Sequence, residues 1–250
     1  MTKKKEAMIF YFTGTGNSLM AAKRLAEENE RLVDMAKARK AGDLLFELEE
    51  GERLGFVFPT YFYTMGDVVF DFLQKVKILG AQKAFGVVTC AGGIGGTGAF
   101  LKNELAKKGI ALTYLTPLLM PENAVYYFSL ADDEKNACCL AKAEARLDQI
   151  KEDLKAGKEK PARGLSSKWL RPIYHLGCKT KDYRVTEACV GCGLCAENCP
   201  DDAIEMRDGR PVWVKASCTK CAACINRCPT HAIQYGKTHN RRRYVNPILK

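Results

Sequence analysis

Residues 8–18 read Met-Ile-Phe-Tyr-Phe-Thr-Gly-Thr-Gly-Asn-Ser, an apolar run followed by a glycine turn and the start of a helix. The apolar run has the composition of a buried strand, and Leu19, Ala22 and Ala26 continue at helical spacing. A strand that passes through a tight turn into a helix is the first unit of an α/β fold. The stretch therefore predicts a parallel sheet covered by helices on both faces.

The rest of the first 160 residues repeats this alternation. Apolar runs typical of strands lie at 8–12, 32–35, 54–58, 84–89 and 110–115. Segments with helical spacing lie at 18–29, 66–76, 98–108 and 132–154. Five strands that alternate with helices predict an α/β fold with a doubly wound five-stranded parallel sheet.

The glycine turn has the features of a phosphate-binding loop. Gly14 and Gly16 allow a sharp turn with converging N–H groups, and the helix that follows adds its partial positive charge. Hydroxyls from Thr13, Thr15 and Ser18 would add further donors. The loop contains no Lys, so a nucleoside triphosphate loop is disfavoured, and the dinucleotide G-x-G-x-x-G pattern also fails. A plain strand-to-helix turn with a capping Asn or Ser is the alternative.

Two more loops follow predicted strands in the same way. Residues 59–66 read Pro-Thr-Tyr-Phe-Tyr-Thr-Met-Gly, and residues 90–98 read Cys-Ala-Gly-Gly-Ile-Gly-Gly-Thr-Gly. Ligands of open α/β sheets bind at the carboxyl ends of the strands, so we expect all three loops at one site. An aromatic loop and a glycine loop beside a phosphate loop suit a flat ring system. The alternative is a surface aromatic cluster that packs between a loop and a helix.

These residues resemble the flavodoxin family, in which a Thr/Ser-x-Thr-Gly-Asn-Thr/Ser loop holds the phosphate of FMN. The resemblance implies a flavodoxin-like sheet and an FMN site in this chain. On that basis the phosphate would be held by Thr13, Gly14, Thr15, Gly16, Asn17 and Ser18. The flavin ring would be bordered by Thr60, Tyr61, Phe62, Tyr63, Cys90, Ala91, Gly92 and Gly93. The sequence leaves open which aromatic side chain stacks on the ring.

A second signal lies in the C-terminal part, where residues 189–200 and 218–229 both read C-x2-C-x2-C-x3-C-P. The two runs are offset by 29 residues. The match continues on both sides at Val185/Val214, Ala203/Ala232 and Ile204/Ile233. This part of the chain is therefore an internal duplication.

The spacing is that of bacterial two-cluster ferredoxins, in which the fourth Cys of each run ligates the other cluster. One [4Fe-4S] cluster is therefore assigned to Cys189, Cys192, Cys195 and Cys228. The other is assigned to Cys218, Cys221, Cys224 and Cys199. Zinc sites would need Cys pairs separated by a longer loop, and disulfides are disfavoured in a reducing cytosol. We expect two of the other cysteines, Cys138 and Cys139, to be buried in the core.

The charge distribution divides the chain. Its 250 residues carry a formal net charge of +10, but residues 161–250 hold 16 basic and 7 acidic side chains. We predict an FMN domain at 1–160, a basic linker at 161–184, a small α+β duplicated 2[4Fe-4S] ferredoxin domain at 185–236 and a basic tail at 237–250. Cluster and phosphate charges would offset much of the basic excess. The remainder favours an acidic protein partner over nucleic acid.

The linker carries an apolar pattern of its own. Leu165, Trp169, Ile173 and Leu176 fall near one face of a helical stretch. Pro172 interrupts that stretch, so we expect a bridge whose apolar face packs the two domains together, rather than a helix that seeks a surface. No run is suited to an integral membrane segment or a signal peptide, so a cytoplasmic location is expected.

The whole chain resembles ferredoxin–flavodoxin fusions of anaerobic bacteria, the EFR1-type ferredoxins. The resemblance implies electron transfer between two [4Fe-4S] clusters and FMN, which joins one-electron to two-electron steps, with redox proteins as partners. The alternative is a ferredoxin-fed flavin reductase that acts on a small organic acceptor such as a quinone, enone or nitro compound. No catalytic acid–base residue is identified from the sequence.

Overall fold

The computed structural model describes residues 7–249. Residues 1–6 of the predicted FMN domain and residue 250 of the predicted basic tail lie outside the described residues. The strands in the first 160 residues are β1 Met8–Tyr11, β2 Arg31–Asp34, β3 Leu45–Glu47, β4 Leu54–Tyr61, β5 Thr64–Met65, β6 Lys77–Leu79, β7 Lys83–Cys90 and β8 Ala111–Leu119. The main sheet has the order β2-β1-β4-β7-β8 and all four pairings are parallel. This is the flavodoxin-like doubly wound order, and it confirms the predicted five-stranded sheet.

Helices cover both faces of this sheet. They are α1 Asn17–Leu25, α2 Met35–Ala41, α3 Asp67–Lys75, α4 Thr97–Ala106 and α5 Asp133–Lys155. Side chains alternate between two apolar layers: Ile9 and Val57 pack in the layer of α1 and α5, and Phe10 and Phe56 pack in the layer of α3 and α4. All four are fully buried. Burial on both faces explains why the strands read as continuous apolar runs rather than alternating ones.

The structure differs from the predicted elements mainly around α2, which the sequence did not indicate. The strand predicted at 32–35 ends at Asp34, whose carboxylate accepts hydrogen bonds from the N–H groups of Ala36 and Lys37. This cap begins the helix at Met35. At the other edge of the sheet, β8 extends to Leu119, four residues beyond the predicted strand end.

The C-terminal part shows the duplication in its backbone. Its elements are a 3₁₀ helix at Ser167–Leu170, α6 Arg171–Gly177, β9 Tyr183–Val185, α7 Leu194–Glu197, β10 Ile204–Arg207, β11 Arg210–Trp213, α8 Ala223–Asn226, β12 Ile233–Tyr235 and a 3₁₀ helix at Pro247–Leu249. The short helices α7 and α8 begin 29 residues apart, as do β10 and β12. Antiparallel pairs join β10 to β11 and β9 to β12.

The linker does not pack as expected. Leu165, Trp169, Ile173 and Leu176 are 87%, 68%, 55% and 71% exposed, so the predicted apolar bridge between the domains is wrong. The residue that faces inward is Tyr174, which is fully buried and donates its hydroxyl to the carbonyl of Thr219 at 2.9 Å. Proline is tolerated in the first turn of α6, so the helix forms and turns its apolar side chains to solvent.

One other expectation is also wrong. Cys138 is exposed and Cys139 is half-buried on α5, so neither belongs to the core. The basic segment after residue 237 packs against the rest of the chain, because Tyr244 and Asn246 are buried and bond Asn17, and Arg241 donates to the carbonyl of Val125 at 2.9 Å. Among residues 7–249, no helix is both long and apolar enough to cross a membrane.

Arg39 on α2 joins the two parts of the chain. Its guanidinium contacts Asp71 at 3.1 Å, the carbonyl of Pro200 at 2.6 Å and Asp201 at 3.3 Å. Burial raises the pKa of Asp201, while the N–H of Thr219 and the charge of Arg39 oppose that rise. The arginine therefore compensates a carboxylate that has little access to water.

We expect Arg39→Ala to lower the free energy of unfolding by about 2 kcal/mol, because it leaves Asp201 nearly buried without its cationic partner. The matched control is Arg24→Ala, whose ion pair with Asp148 is 53% exposed on both sides and is expected to contribute less than about 1 kcal/mol. Urea unfolding of both variants measures the difference. Equal losses would contradict the assigned role of Arg39.

Candidate functional site

The glycine loop between β1 and α1 is held by its own hydroxyl groups and by neighbouring strands. The N–H of Gly16 donates to Thr13 Oγ1 at 2.9 Å, and Gly16 has the left-handed φ of 100° that the turn requires. Ser18 Oγ lies 2.8 Å from Thr89 Oγ1 at the end of β7. Thr15 and Ser18 are buried. The loop therefore has a fixed shape with hydroxyl groups beside a helix N-terminus.

A cavity of about 260 Å³ opens at the carboxyl edge of the sheet, next to this loop. It is lined by most of the predicted flavin-site residues: Thr13, Gly14, Thr15, Asn17, Ser18, Thr60, Tyr61, Phe62, Tyr63, Cys90, Ala91, Gly92 and Gly93. Gly16 is the exception, because it faces Asn246 of the C-terminal segment instead. The three loops chosen from the sequence thus meet at one site.

Sequence reasoning missed a fourth loop, which follows β8. It contributes Met120, Pro121, Glu122, Asn123, Ala124, Tyr126, Tyr127 and Phe128 to the cavity wall. Asn123 donates to Thr15 Oγ1 at 2.7 Å, so this loop also holds the glycine loop in place. The signal was available, since a loop after the last parallel strand lies at the same edge of the sheet. The fourth loop was not predicted because the strand before it was predicted to end at residue 115, whereas β8 ends at Leu119.

The aromatic loop after β4 is strained and partly open to solvent. Phe62 and Tyr63 have left-handed φ angles of 51° and 59°, which are unusual for bulky side chains and typical of functional loops. Phe62 packs edge-on against Tyr127 at a centroid distance of 5.4 Å. Tyr61 is different, because its hydroxyl is buried without a hydrogen-bond partner in the described residues. Burial raises the pKa of Tyr61 well above its usual value, so it remains protonated.

The cavity fits FMN in two respects. Its donor set beside the glycine loop consists of hydroxyls and a helix N-terminus, which is the chemistry that a phosphate monoester requires. Its remaining wall is apolar and aromatic, as a flat ring needs. Cys90 also lines it, but burial raises the pKa of this thiol to about 11, so it is not a reactive thiolate.

The eight cysteines of the repeats surround two small cavities. One is lined by Cys189, Cys192, Cys195 and Cys228. The other is lined by Cys199, Cys218, Cys221 and Cys224. Each cavity therefore takes three thiols from one run and the fourth from the other run. Within residues 7–249 no three His, Cys, Asp or Glu side chains converge on a single-ion site. The thiols of each set line a small cavity instead.

The two cavities share further features. The N–H of Ala203 donates to Cys199 Sγ at 3.3 Å, and the N–H of Ala232 donates to Cys228 Sγ at the same distance. These two bonds occupy equivalent positions in the duplication. Burial raises the pKa of Cys218 to about 11 and that of Cys221 well above its usual value. Thiolates at these positions therefore need a strong positive charge within the cavity.

The cavity at the sheet edge and the cavity around Cys221 have a common wall. Lys220 lines both of them. The glycine loop also touches the cysteine loop directly, because a Cβ atom on Gly14 would lie 2.1 Å from the carbonyl oxygen of Cys221. Burial lowers the pKa of Lys220 to about 8.

Comparison with known proteins identifies the C-terminal part. Residues 188–233 match the family model of the 4Fe-4S dicluster domain. This part of the chain is a ferredoxin-type 4Fe-4S domain. No curated protein matches the sequence.

Solved structures similar to the chain are distant. The Trp repressor binding protein from Bacillus subtilis is 13% identical with a TM-score of 0.31 and covers 56% of this chain and 96% of its own. An FMN-dependent NADH-azoreductase from Bacillus anthracis, in complex with FMN, is 11% identical with a TM-score of 0.37, covering 60% and 99%. Rubredoxin oxygen:oxidoreductase from Desulfovibrio gigas is 17% identical with a TM-score of 0.33, covering 61% and 37%. Similarities this distant do not identify a function.

We expect Gly14→Ala to push the two loops apart, because its methyl group would overlap the carbonyl of Cys221. The free energy of unfolding should fall by about 1–3 kcal/mol, and FMN binding should weaken. Gly92→Ala is the matched control for the free energy of unfolding, since a Cβ there would meet no protein atom within 4 Å. Urea unfolding and a flavin fluorescence titration give both values. A comparable loss in the two variants would contradict the contact.

Proposed function

We propose that the protein transfers electrons between two [4Fe-4S] clusters and FMN, as ferredoxin–flavodoxin fusion proteins do. The observation that supports this most directly is the common wall, where Lys220 borders both cavities and Gly14 contacts the Cys221 carbonyl. When bound, clusters exchange single electrons and a flavin exchanges one or two. A chain that holds both in adjoining cavities joins one-electron to two-electron redox steps.

The glycine loop would bind the FMN phosphate through the hydroxyls of Thr13, Thr15 and Ser18 and the N-terminus of α1. Two segments would keep this loop rigid. Asn123 bonds Thr15 from the fourth loop, and the N–H of Asn246 donates to the carbonyl of Thr15 at 2.8 Å. A rigid loop lowers the entropy that phosphate binding would otherwise cost.

The aromatic and glycine-rich loops would border the flavin ring. Tyr61 and Cys90 line the inner wall, while Ala91 and Gly92 are exposed, and Phe62, Tyr63 and Tyr127 are 40%, 59% and 44% exposed at the opening. The side chains at the opening would keep water from the ring while leaving one edge accessible. That arrangement suits electron exchange with another molecule.

The eight repeat cysteines would ligate the clusters in the crossed arrangement, which agrees with the two sets of four thiols around the cavities. The thiols must lose their protons to bind iron, and the raised pKa values of Cys218 and Cys221 mean that iron binding drives this loss. Ligands of this kind require a reducing compartment, which supports the cytoplasm as the location.

A redox protein with an acidic face is the partner we propose, and it would dock on the linker face, defined as Leu165, Trp169, Ile173 and Leu176. These four side chains are exposed. Exposed cations lie close to them in the sequence at Arg163, Lys168, Lys179 and Lys181. An apolar centre with a charged rim is the usual composition of a transient protein interface. Gly177 of this segment lies against Phe62 and Tyr127, so the linker face continues to the opening of the flavin cavity.

A flavin reductase that acts on a quinone, enone or nitro compound is the second candidate. The exposed aromatic side chains of Phe62, Tyr63 and Phe128 at the opening favour it, because they could hold a flat molecule. Turnover of such an acceptor at a rate that saturates with its concentration would distinguish this reductase from a carrier.

Anaerobic reconstitution tests the proposed function. We expect about eight iron atoms and one FMN per chain. The double variant Cys199→Ala, Cys218→Ala removes two ligands from a single cluster in the crossed arrangement, so about four iron atoms should remain. The variant Cys195→Ala, Cys199→Ala should affect both clusters. Cys138→Ala is the control, because its exposed thiol lies outside both cavities.

The reverse pattern of iron loss in the two double variants would contradict the crossed ligation. Electron transfer is measured in the same proteins by adding a reduced acidic ferredoxin and following the flavin absorbance. Flavin reduction should slow in the Cys199→Ala, Cys218→Ala chain that still holds FMN. An unchanged rate would overturn the coupling, and fewer than about four iron atoms in the wild-type chain would overturn the two-cluster proposal.

We expect Trp169→Ser, Leu176→Ser to raise the Kd for an acidic two-cluster ferredoxin about tenfold or more, because both side chains lie in the apolar centre of the linker face. Replacing Lys168, Lys179 and Lys181 with Gln should reduce the dependence of the association rate on ionic strength. Lys102→Gln, an exposed lysine on α4, is the control. Stopped-flow rates at several salt concentrations measure both effects. Salt dependence that stays unchanged in the triple variant would exclude this face.

A further inference from the structure

Lys220 is buried in an unusual way for a lysine. It is 4% exposed, and it lies between two cluster cysteines of the second run. Its φ of 59° is left-handed, a conformation that lysine rarely adopts. The equivalent residue of the first run is Gly191, with a φ of 68°. The duplication therefore has a long cationic side chain where its other half has glycine, and the backbone strain persists with it.

Three tyrosines form a cage around the ammonium group. Lys220 Nζ lies 3.3 Å from the ring centroid of Tyr235, 4.8 Å from Tyr183 and 4.9 Å from Tyr126. The hydroxyls of Tyr126 and Tyr183 are 2.6 Å apart, which holds two of the rings together. The ammonium donates one hydrogen bond, to the carbonyl of Lys179 at 2.8 Å. Ring faces stabilise a cation by their quadrupole and leave its net charge intact.

Among residues 7–249, Lys220 has no direct ion-pair partner, and Asp182, which accepts from the Tyr235 hydroxyl at 3.5 Å, acts on it only from a distance. In the part of the chain that the structure describes, no carboxylate lies within ion-pair distance of its ammonium. Buried lysines are ordinarily paired with an acidic side chain. A cage of neutral rings instead of a carboxylate leaves the positive charge free to act on what the adjoining cavities contain, and the low polarity of the interior extends its reach.

Lys220 lines the cavity of Cys199, Cys218, Cys221 and Cys224 and also the cavity at the sheet edge. We propose that the caged charge of Lys220 makes the group bound by these four cysteines easier to reduce than the group in the other cysteine cavity, and favours the reduced form of the ring bound at the sheet edge. Lys220 acts in this role through its charge alone, since no bond to it forms or breaks. The inference rests on the proposed function and adds to it which cluster holds an electron more tightly.

The experiment is a redox titration of the reconstituted holoprotein, followed by electron paramagnetic resonance for the clusters and by absorbance for the flavin. Lys220→Met removes the charge and keeps the length of the side chain. Lys220→Gly gives the second run the residue of the first run at a φ that glycine accepts. Lys220→Arg keeps the charge, and Lys237→Gln removes an exposed charge two residues after Tyr235.

In both neutral variants we expect reduction of the cluster bound by Cys199, Cys218, Cys221 and Cys224 to become less favourable. Its equilibrium constant should fall at least about tenfold, which is about 59 mV for a one-electron couple. The reduction potential of the other cluster should be unchanged, and the reduction potential of the flavin should also fall. Lys220→Arg should keep the cluster potential close to the wild-type value, and Lys237→Gln should leave all potentials at their wild-type values.

Unchanged potentials in neutral variants that retain iron and FMN would overturn the inference. Loss of iron from both neutral variants would overturn it as well, because the lysine would then be needed for cluster binding rather than for its potential. Iron and flavin content of the wild-type chain report separately on the proposed function. A wild-type chain without clusters would overturn that function, and the inference with it.

Discussion

The contact between the Gly14 backbone and the carbonyl of Cys221 is the constraint on which the arrangement of this molecule depends. A single methyl group at Gly14 would overlap that carbonyl, so the glycine loop and the second cysteine run touch backbone to backbone. Thr219, two residues earlier, is fully buried and accepts from Tyr174 of the linker helix, while Arg39 fixes the neighbouring Asp201. The contacts of Thr219 and Asp201 are polar and directional, unlike the apolar layers of the sheet. They fix the distance between the two cavities more tightly than apolar packing alone would.

The C-terminal segment adds a second restraint at the same place. The Tyr244 hydroxyl donates to Asn17 Oδ1 at 2.7 Å, and the Asn246 side chain donates to the same oxygen at 3.2 Å. Asn226 of the cysteine domain donates to the carbonyl of Asn123 at 3.0 Å. The glycine loop is therefore held by hydrogen bonds from its own sheet, from the fourth loop and from the C-terminal segment. A loop held from three sides is already shaped for its ligand before binding.

Much of this could be read from the sequence, because its strongest signals are local. The apolar runs gave the strands, since a strand buried on both faces must be apolar throughout. The spacing of the cysteines predicted the two sets of four, because three thiols at intervals of three residues can ligate one iron–sulfur cluster. What could not be read depends on distant contacts. Helix α2 has local start and stop signals in Asp34 and Gly42, but it is only seven residues long, and Arg39 holds it against Pro200, 161 positions away, which no local pattern reveals. The exposed linker face was mispredicted for the same reason.

The two halves of the duplication share a backbone but occupy different surroundings, and this explains how their sequences diverged. Val190 and Leu194 of the first run are 67% and 40% exposed, whereas the equivalent Thr219 and Ala223 are 0% and 3% exposed against the sheet domain. Cys192 is exposed and Cys221 is buried. Small and polar residues in the second run permit the close packing. Large apolar residues remain in the first run, where they meet solvent. Under the proposed function, the first cluster would lie next to this exposed surface, while the second cluster adjoins the flavin. The asymmetry of burial would thus give an electron path that is open at the first cluster and at the edge of the flavin cavity, with the second cluster enclosed between them.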